Sequence, residues 1–479
     1  MKSSIFSLTI VSLLLCTACD DRSDEWISLF DGHSLEGWKA SENEASWKVE
    51  DGAIVTAGPR SHLFYDGKVN GHRFRNFELS LEVLTTKGSN SGVYVHTAFQ
   101  QDGWPAKGYE CQILNTMLPA QEGAYVEHKM TGSLYAIRNV WKQVVPDNTW
   151  FNFRIRVEGK TIRTYINGIL AADYTEPEEA WRPGGFEGRL LGEGTFALQC
   201  HDPSSEVRFR DIKVKVLPDD LASPGTAPSD LDFEKQLLTL SAANFPLVDL
   251  HTHLKGGLKE EEALANARKY GYTYGIAVNA GLKMGFESDA ELEAYLAEVD
   301  PSPLAWHAMQ AEGREWLELF SEENVARFDY VFTDALTWTN RNGTRQRLWI
   351  PEETEVGDPE DFMEQLVAAI EAVLQEPVDI YVNPTFLPPE LEDRYEELWT
   401  EERMDRVIAA VLANDVAMEI NNRFLLPGPA FIKRAKEAGV KFSFGTNNGA
   451  ADDLGRMDYA IEMIGYAGLE PDDMWLPGE

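Results

Sequence analysis

Cysteine is scarce in this chain of 479 residues: there are four, and Cys16 and Cys19 fall within the first nineteen positions. The other two, Cys111 and Cys200, are too few for the disulfide framework that holds small secreted domains together, so the fold must rest on apolar cores. Each sits among polar residues in an alternating pattern, Glu110-Cys111-Gln112 and Gln199-Cys200-His201, which turns the thiols away from their neighbours. Buried free thiols are the expected state, with a single disulfide open if the two strands pair. Positive charge is scarce as well. Lys and Arg number 43 against 79 Asp and Glu, a formal net charge of −36. A field of that sign repels phosphate backbones and excludes nucleic acid as a natural partner. Past residue 18 no apolar run approaches the roughly 20 residues that a membrane-spanning helix needs. With 43% apolar, 25% charged and 11% aromatic residues, the composition excludes a disordered or collagen-like chain.

The N-terminus has the layout of an export signal: Lys2, an apolar run from Ile5 to Leu15, then the small residues Thr17 and Ala18 before Cys19. The order Leu15-Cys16-Thr17-Ala18-Cys19 resembles a bacterial lipobox, with Cys16 where Leu is usual. That resemblance implies that residues 1–19 are a lipoprotein signal and lipidated Cys. The chain would then be an exported cell-envelope lipoprotein on the periplasmic or outer-membrane face, tied to the membrane by an N-terminal lipid anchor. A plain cleaved signal is the alternative.

From Trp26 to Leu217 the apolar period is two. Phe77, Leu79, Leu81 and Val83 alternate with polar residues, as do Phe151, Phe153, Ile155 and Val157. Glu158-Gly159-Lys160 and Asn167-Gly168 supply turns, and the parity slips between Phe209 and Ile212 as at a β-bulge. Residues 26–217 are therefore expected to form an all-β sandwich. A Pro- and Ser-containing linker running into a short helix follows over 218–244. From 245 to 479, seven apolar strands alternate with amphipathic helices, the pattern of a parallel α/β sheet or TIM-like barrel, whose functional groups belong at the strand C-termini. The chain is thus multidomain.

Strand parity puts Glu110 and Gln112 on one face, Gln199 and His201 on one face, and Tyr94 and His96 on one face. If those faces coincide, a carboxylate, an imidazole and several amides and hydroxyls converge, a set able to grip a sugar and move a proton; otherwise they are the solvent side of a sandwich. The segments SLFDGHSLEGW, WKVEDGAIV, GSNSGVYVH, GYECQILN, TGSLYAI, WFNFRIRVEGKTIRTYINGI, FALQCH and VRFRDIKV, in this order and spacing, resemble the 3-keto-disaccharide hydrolase domain family. The resemblance implies a concanavalin-like jelly roll acting on glycosides already oxidised at C3. It also implies a pocket with Glu110, His201 and Tyr135 in catalytic roles and Asn90, Tyr94, His96, Gln112 and Gln199 as substrate contacts, His96 standing where relatives often have Arg. A C3 ketone acidifies the C2 proton, so the chemistry asks for a base, His201 or Glu110, and for donors near the enolate oxygen, Gln112 and Tyr135.

In the second half, Val248-Asp249-Leu250-His251-Thr252-His253 ends a strand with His-x-His, which sends both imidazoles to one side. DLHTHL, ARKYGYTYGIAVN, Gly313-Arg314-Glu315, AMEINN and AFIKRAKEAGVKFSFGTNN resemble the PHP (polymerase and histidinol phosphatase) superfamily, a seven-stranded barrel with up to three metals. By that resemblance His251, His253 and Glu315 are ligands, with Asp334 at the end of the fourth strand. Expected ligands are replaced at Val278-Asn279, Asn383 and Gly445-Thr446-Asn447-Asn448-Gly449. Amide oxygens bind transition metals far more weakly than imidazole or carboxylate, so at most one divalent ion is expected, and no organic cofactor. The leading expectation is an exported enzyme taking a small carbohydrate and cleaving 3-keto glycosides by proton abstraction at C2 and loss of the C1 group. The alternatives are a metal-dependent PHP-like hydrolase with the sandwich as a carbohydrate-binding module, or a glycan-binding lipoprotein that is not an enzyme.

Overall fold

The period-two segments pair as antiparallel ladders in the computed structural model, which describes residues 25–118, 125–299 and 302–478. The segment expected to be a signal, with Cys19, lies outside the described residues. Two sheets form. The outer one runs in the order Ile169–Thr175, Thr161–Ile166, Phe151–Glu158, Phe77–Thr85, Val207–Val216, Ala53–Thr56, Trp47–Glu50, with Ile27–Ser28 beside Val207–Val216. The inner one runs Trp38–Ala40, Ser61–Tyr65, Thr195–Cys200, Asn90–Thr97, Tyr109–Leu114. Between them Phe77, Leu79, Leu81, Val93, Cys111, Phe153, Ile155 and Leu198 make one core. Both thiols are free and buried.

Local chemistry sets the turns. Asn167 and Gly168 both have positive φ, 50° and 85°, the conformation of a two-residue hairpin turn whose twist matches its strands. The parity slip falls where expected: the ladder between Phe77–Thr85 and Val207–Val216 shifts register between Arg210 and Lys213. A second slip does not announce itself in the sequence. Thr195 faces Thr97 while Ala197 faces Tyr94, so one extra residue is inserted near His96, whose φ is 55°.

The second half holds seven parallel strands in the order Val248–His253, Thr273–Gly281, Trp306–Glu312, Tyr330–Thr333, Ile380–Tyr381, Ala417–Asn421, Phe442–Gly445, with a short antiparallel strand, Met284–Gly285, beside the second. The parallel sheet is nearly closed into a barrel. At the seam the Asn447 N–H reaches His251 O at 2.9 Å, and Asp249 accepts both the N–H and the hydroxyl of Thr446, at 3.0 and 2.5 Å. Elements beyond those read from the sequence include the hairpin Thr337–Thr339 with Arg345–Arg347, the helix Asp458–Ala467, and the short helices Trp316–Leu319, Glu322–Val325, Pro389–Glu392 and Tyr395–Leu398. No described helix is long and apolar enough to cross a membrane.

The linker is not a free tether. Its helix, Leu231–Ala242, is capped by the Asp230 side chain accepting from the Phe233 N–H. Leu237 packs in the barrel core and Leu238 in the sandwich core. Both carboxylate oxygens of Glu234 accept from Nη2 of the buried Arg138, at 3.0 and 2.9 Å. From the sandwich side Trp141, fully buried, joins the barrel core and donates its indole N–H to Gly271 O at 2.9 Å.

Candidate active site

Alternation along the inner sheet carries Asn90 and Tyr94, Glu110 and Gln112, and Gln199 to one face, and the chain leaving Thr195–Cys200 adds His201. With Tyr135 they line a single cleft of about 620 Å³. Of the eight residues expected in the sandwich site, seven meet there.

His96 does not. The inserted residue in its strand reverses the parity after Tyr94 and swings the imidazole into the sandwich, 5.5 Å from the Phe77 ring. There it is a satisfied neutral histidine: one nitrogen meets Arg75 O at 2.8 Å and the other accepts the Gly192 N–H at 3.0 Å. Burial pushes its pKa down to about 4.

Glu110 is held from both sides. Its Oε1 accepts from Gln199 Nε2 at 2.6 Å and its Oε2 from Arg189 Nη2 at 3.3 Å, with Gln199 Nε2 also 3.2 Å from the Tyr94 hydroxyl. Room for this carboxylate comes from Gly92 on the neighbouring strand, where a Cβ would lie 2.9 Å from Glu110 Oε1. Gln112 Nε2 donates to Asn90 Oδ1 at 3.3 Å. The amide oxygens of Gln112 and Gln199 are buried without a partner. An unpaired buried acceptor costs roughly 1–3 kcal/mol, a cost that a ligand hydroxyl would relieve.

His201 is only half-buried, at the cleft edge. Its Nδ1 donates to Asp202 Oδ2 at 2.7 Å, and Asp202 is held in turn by Ser204 N at 2.8 Å and by Ser205 Oγ at 2.9 Å. These bonds, that from His201 first, hold the Asp202 carboxyl well below the usual range, so it stays ionised. A carboxylate on Nδ1 fixes the tautomer that leaves Nε2 with its lone pair free to accept a proton. The exposed Trp104 indole lies 5.0 Å from the imidazole, offering an apolar face at the same edge.

At the opposite wall Tyr135 donates its hydroxyl to Glu127 Oε2 at 2.8 Å and stacks on Phe186. Burial, then the Glu127 charge, pushes the Tyr135 hydroxyl far above its ordinary value and keeps it protonated. Strand parity cannot find Glu127, Arg189, Trp104, Phe186 or Asp202, because all lie in loops. The Asp directly after FALQCH was the one visible signal.

Of the four residues expected to be barrel ligands, His251, His253 and Asp334 lie at or just past strand ends. His251 Nδ1 meets Glu419 Oε1 at 2.7 Å, His253 Nδ1 meets Ala277 O at 3.2 Å, and both Nε2 atoms are buried without a partner. Glu315 is not with them. It sits at the surface past the end of its strand, 2.5 Å from Arg345 Nη1. The carboxyl at that strand end is Glu312, three residues earlier, bonded by Asn279 at 2.8 Å and pushed up to about 8 by burial and by Asp334. Asp334 accepts from Asn383 at 3.0 Å and from the Leu336 N–H at 3.0 Å. Among the described residues no three His, Cys, Asp or Glu side chains converge as a metal-binding group. The donors present therefore do not fit the ligand set expected from the sequence.

Comparison with known proteins bears on the sandwich. Residues 25–215 match the model of a family described as the 3-keto-alpha-glucoside-1,2-lyase-like domain. A 3-keto-disaccharide hydrolase from Bacteroides thetaiotaomicron is 28% identical over 232 residues, covering 41% of this chain and 79% of that protein. Among solved structures, a candidate glycosyl hydrolase from Parabacteroides distasonis is 23% identical with a TM-score of 0.35, covering 40% of this chain and 94% of that one. The carbohydrate-binding module CBM66 from Bacillus subtilis is 12% identical with a TM-score of 0.25, covering 37% and 95%.

Proposed function

We propose that the sandwich cleft cleaves glycosides carrying a ketone at C3, with His201 as the base. The observation that carries this reading is the His201–Asp202 pair, 2.7 Å apart at the edge of a cleft whose floor holds buried amide oxygens without partners. The family match and the named relative support a glycoside-processing, hydrolase-like function.

His201 Nε2 takes the C2 proton, the enolate forms at C3, and its electrons return as the C1=C2 double bond while the C1–O bond breaks. The departing oxygen takes up the proton held by His201 and leaves as the alcohol, which returns the imidazole to its neutral form. Addition of water across the double bond then gives the 3-keto sugar and completes a net hydrolysis. Glu110 is the poorer base, since both of its oxygens already hold hydrogen bonds and one faces the Arg189 charge. Its role is to orient Gln199, while the second amide hydrogen of Gln112 is the donor to the developing oxyanion; Tyr135, whose hydroxyl hydrogen is given to Glu127, leaves its oxygen to accept from a sugar hydroxyl.

This reading includes export as a lipoprotein through Cys19, and a PHP-like origin for the second half, supported by its seven parallel strands and its terminal His-x-His. The experiment is turnover of a 3-keto glucoside beside its unoxidised parent, with a C2-deuterated sample of each. Consumption of the ketone alone, slowed by deuterium, is expected. Equal consumption of the parent, or none of either, overturns the reading.

A further inference from the structure

We propose that Asn244, which lies outside the sandwich, is a positioning residue for its cleft, acting through Lys129 on Glu127. The proposal rests on reading that cleft as the active site. Glu127 Oε2 receives the hydroxyls of Tyr135, at 2.8 Å, and of Tyr125, at 3.1 Å, and all three residues line the cleft. Its other oxygen, Oε1, accepts from Lys129 Nζ at 2.9 Å.

Lys129 is fully buried. A buried ammonium is tolerated only where partners replace its water, and burial here lowers its pKa against the opposing pull of Glu127. Its partners are Glu127, the Tyr135 ring face at 4.5 Å, and Asn244 Oδ1 at 2.9 Å.

Asn244 sits between the linker helix and the first barrel strand, at φ 63°, a left-handed conformation that Asn accepts more readily than most residues. Its Oδ1 also accepts the His128 N–H at 3.1 Å, its Nδ2 donates to Val126 O at 2.7 Å, and its carbonyl lies 3.3 Å from His128 Nδ1. One side chain therefore grips residues 126, 128 and 129, on both sides of Glu127. Glu127 Oε1 also accepts the Lys129 backbone N–H at 3.1 Å, so without that grip the 126–129 segment shifts as a unit and carries Glu127 away from Tyr135. The catalytic wall is finished by a residue that the sandwich does not contain.

Two full-length variants test this. Asn244→Gly keeps the left-handed backbone and removes the amide. Asn244→Asp keeps the acceptor for Lys129 and His128, replaces the donor to Val126 with an oxygen, and adds a carboxylate charge beside the Lys129 ammonium. With a 3-keto glucoside, Asn244→Gly should lower kcat about tenfold or more with KM within about twofold, since small misplacements of a catalytic wall cost rate before binding. Asn244→Asp should recover most of the loss. Wild-type kcat in folded Asn244→Gly, or no recovery in Asn244→Asp, overturns the proposal.

A second readout needs no turnover. The near-ultraviolet difference spectrum between wild type and Asn244→Gly should contain a tyrosine band that disappears when the same pair is compared in a Tyr135→Phe background. If the wild type does not consume the ketone, the reading of the reaction fails while this spectrum still decides the positioning. Absence of the band, or its persistence in the Tyr135→Phe pair, overturns the link from Asn244 to Tyr135.

Discussion

His201 and Asp202 are consecutive residues whose side chains meet, with Nδ1 and Oδ2 2.7 Å apart. Because this contact fixes the tautomer, Asp202→Asn should disable the base without removing it. Turnover of a 3-keto glucoside should fall roughly a hundredfold or more at nearly unchanged KM, and His201→Ala should do the same. Steady-state kinetics check both.

Trp141, a residue of the sandwich half, packs in the barrel core, so its truncation should loosen the hold of one half on the other. Trp141→Ala is expected to cost about 3–5 kcal/mol, the range for deleting a fully buried indole. Calorimetry should show the change as separation of one unfolding transition into two, since the variant loses the side chain shared between the halves.

Acid should destabilise the fold through His96. Its folded pKa is lowered to about 4 from an ordinary 6.5, so the unfolded chain takes up the proton first as pH falls. The stabilisation is complete above about pH 6.5 and is lost on the way down to about pH 4, a change of roughly 3 kcal/mol. In His96→Gln, whose amide can offer both a donor and an acceptor, the drop in stability between those pH values should be smaller by about that amount. Denaturant titrations at pH 7 and pH 4 measure it.

The barrel imidazoles should be dispensable for keto-glycoside turnover. A His251→Ala/His253→Ala double variant is expected to keep activity within about twofold, because the catalytic groups proposed lie in the sandwich and its junction. Elemental analysis of the same two proteins should find no difference in divalent metal content, because among the described residues no three metal-binding side chains converge at the barrel mouth.

Much of this was legible in the sequence. Period two gave the sandwich, alternation of apolar strands and amphipathic helices gave seven parallel strands, and strand parity brought Glu110, Gln112, Gln199 and His201 to one cleft. Parity fails where register is set by tertiary packing: at His96, one inserted residue turns a supposed sugar contact into a core residue. It is silent for loop residues such as Arg189 and Glu127, whose position depends on contacts made far along the chain. Glu315 was misplaced for a related reason. A motif fixes which residues are near a strand end, but the last pleat decides which carboxyl faces the barrel axis, and that one is Glu312.

The burial of Trp141 against Gly271 also has a cost in time. The two residues are 130 positions apart, and at roughly 5–20 residues per second a ribosome needs on the order of 6–26 seconds to make the intervening chain. During that interval the growing chain carries an uncovered indole with nothing yet made to receive it. A chain arrested before residue 271 would present the Trp141 indole as a mark of its incompleteness.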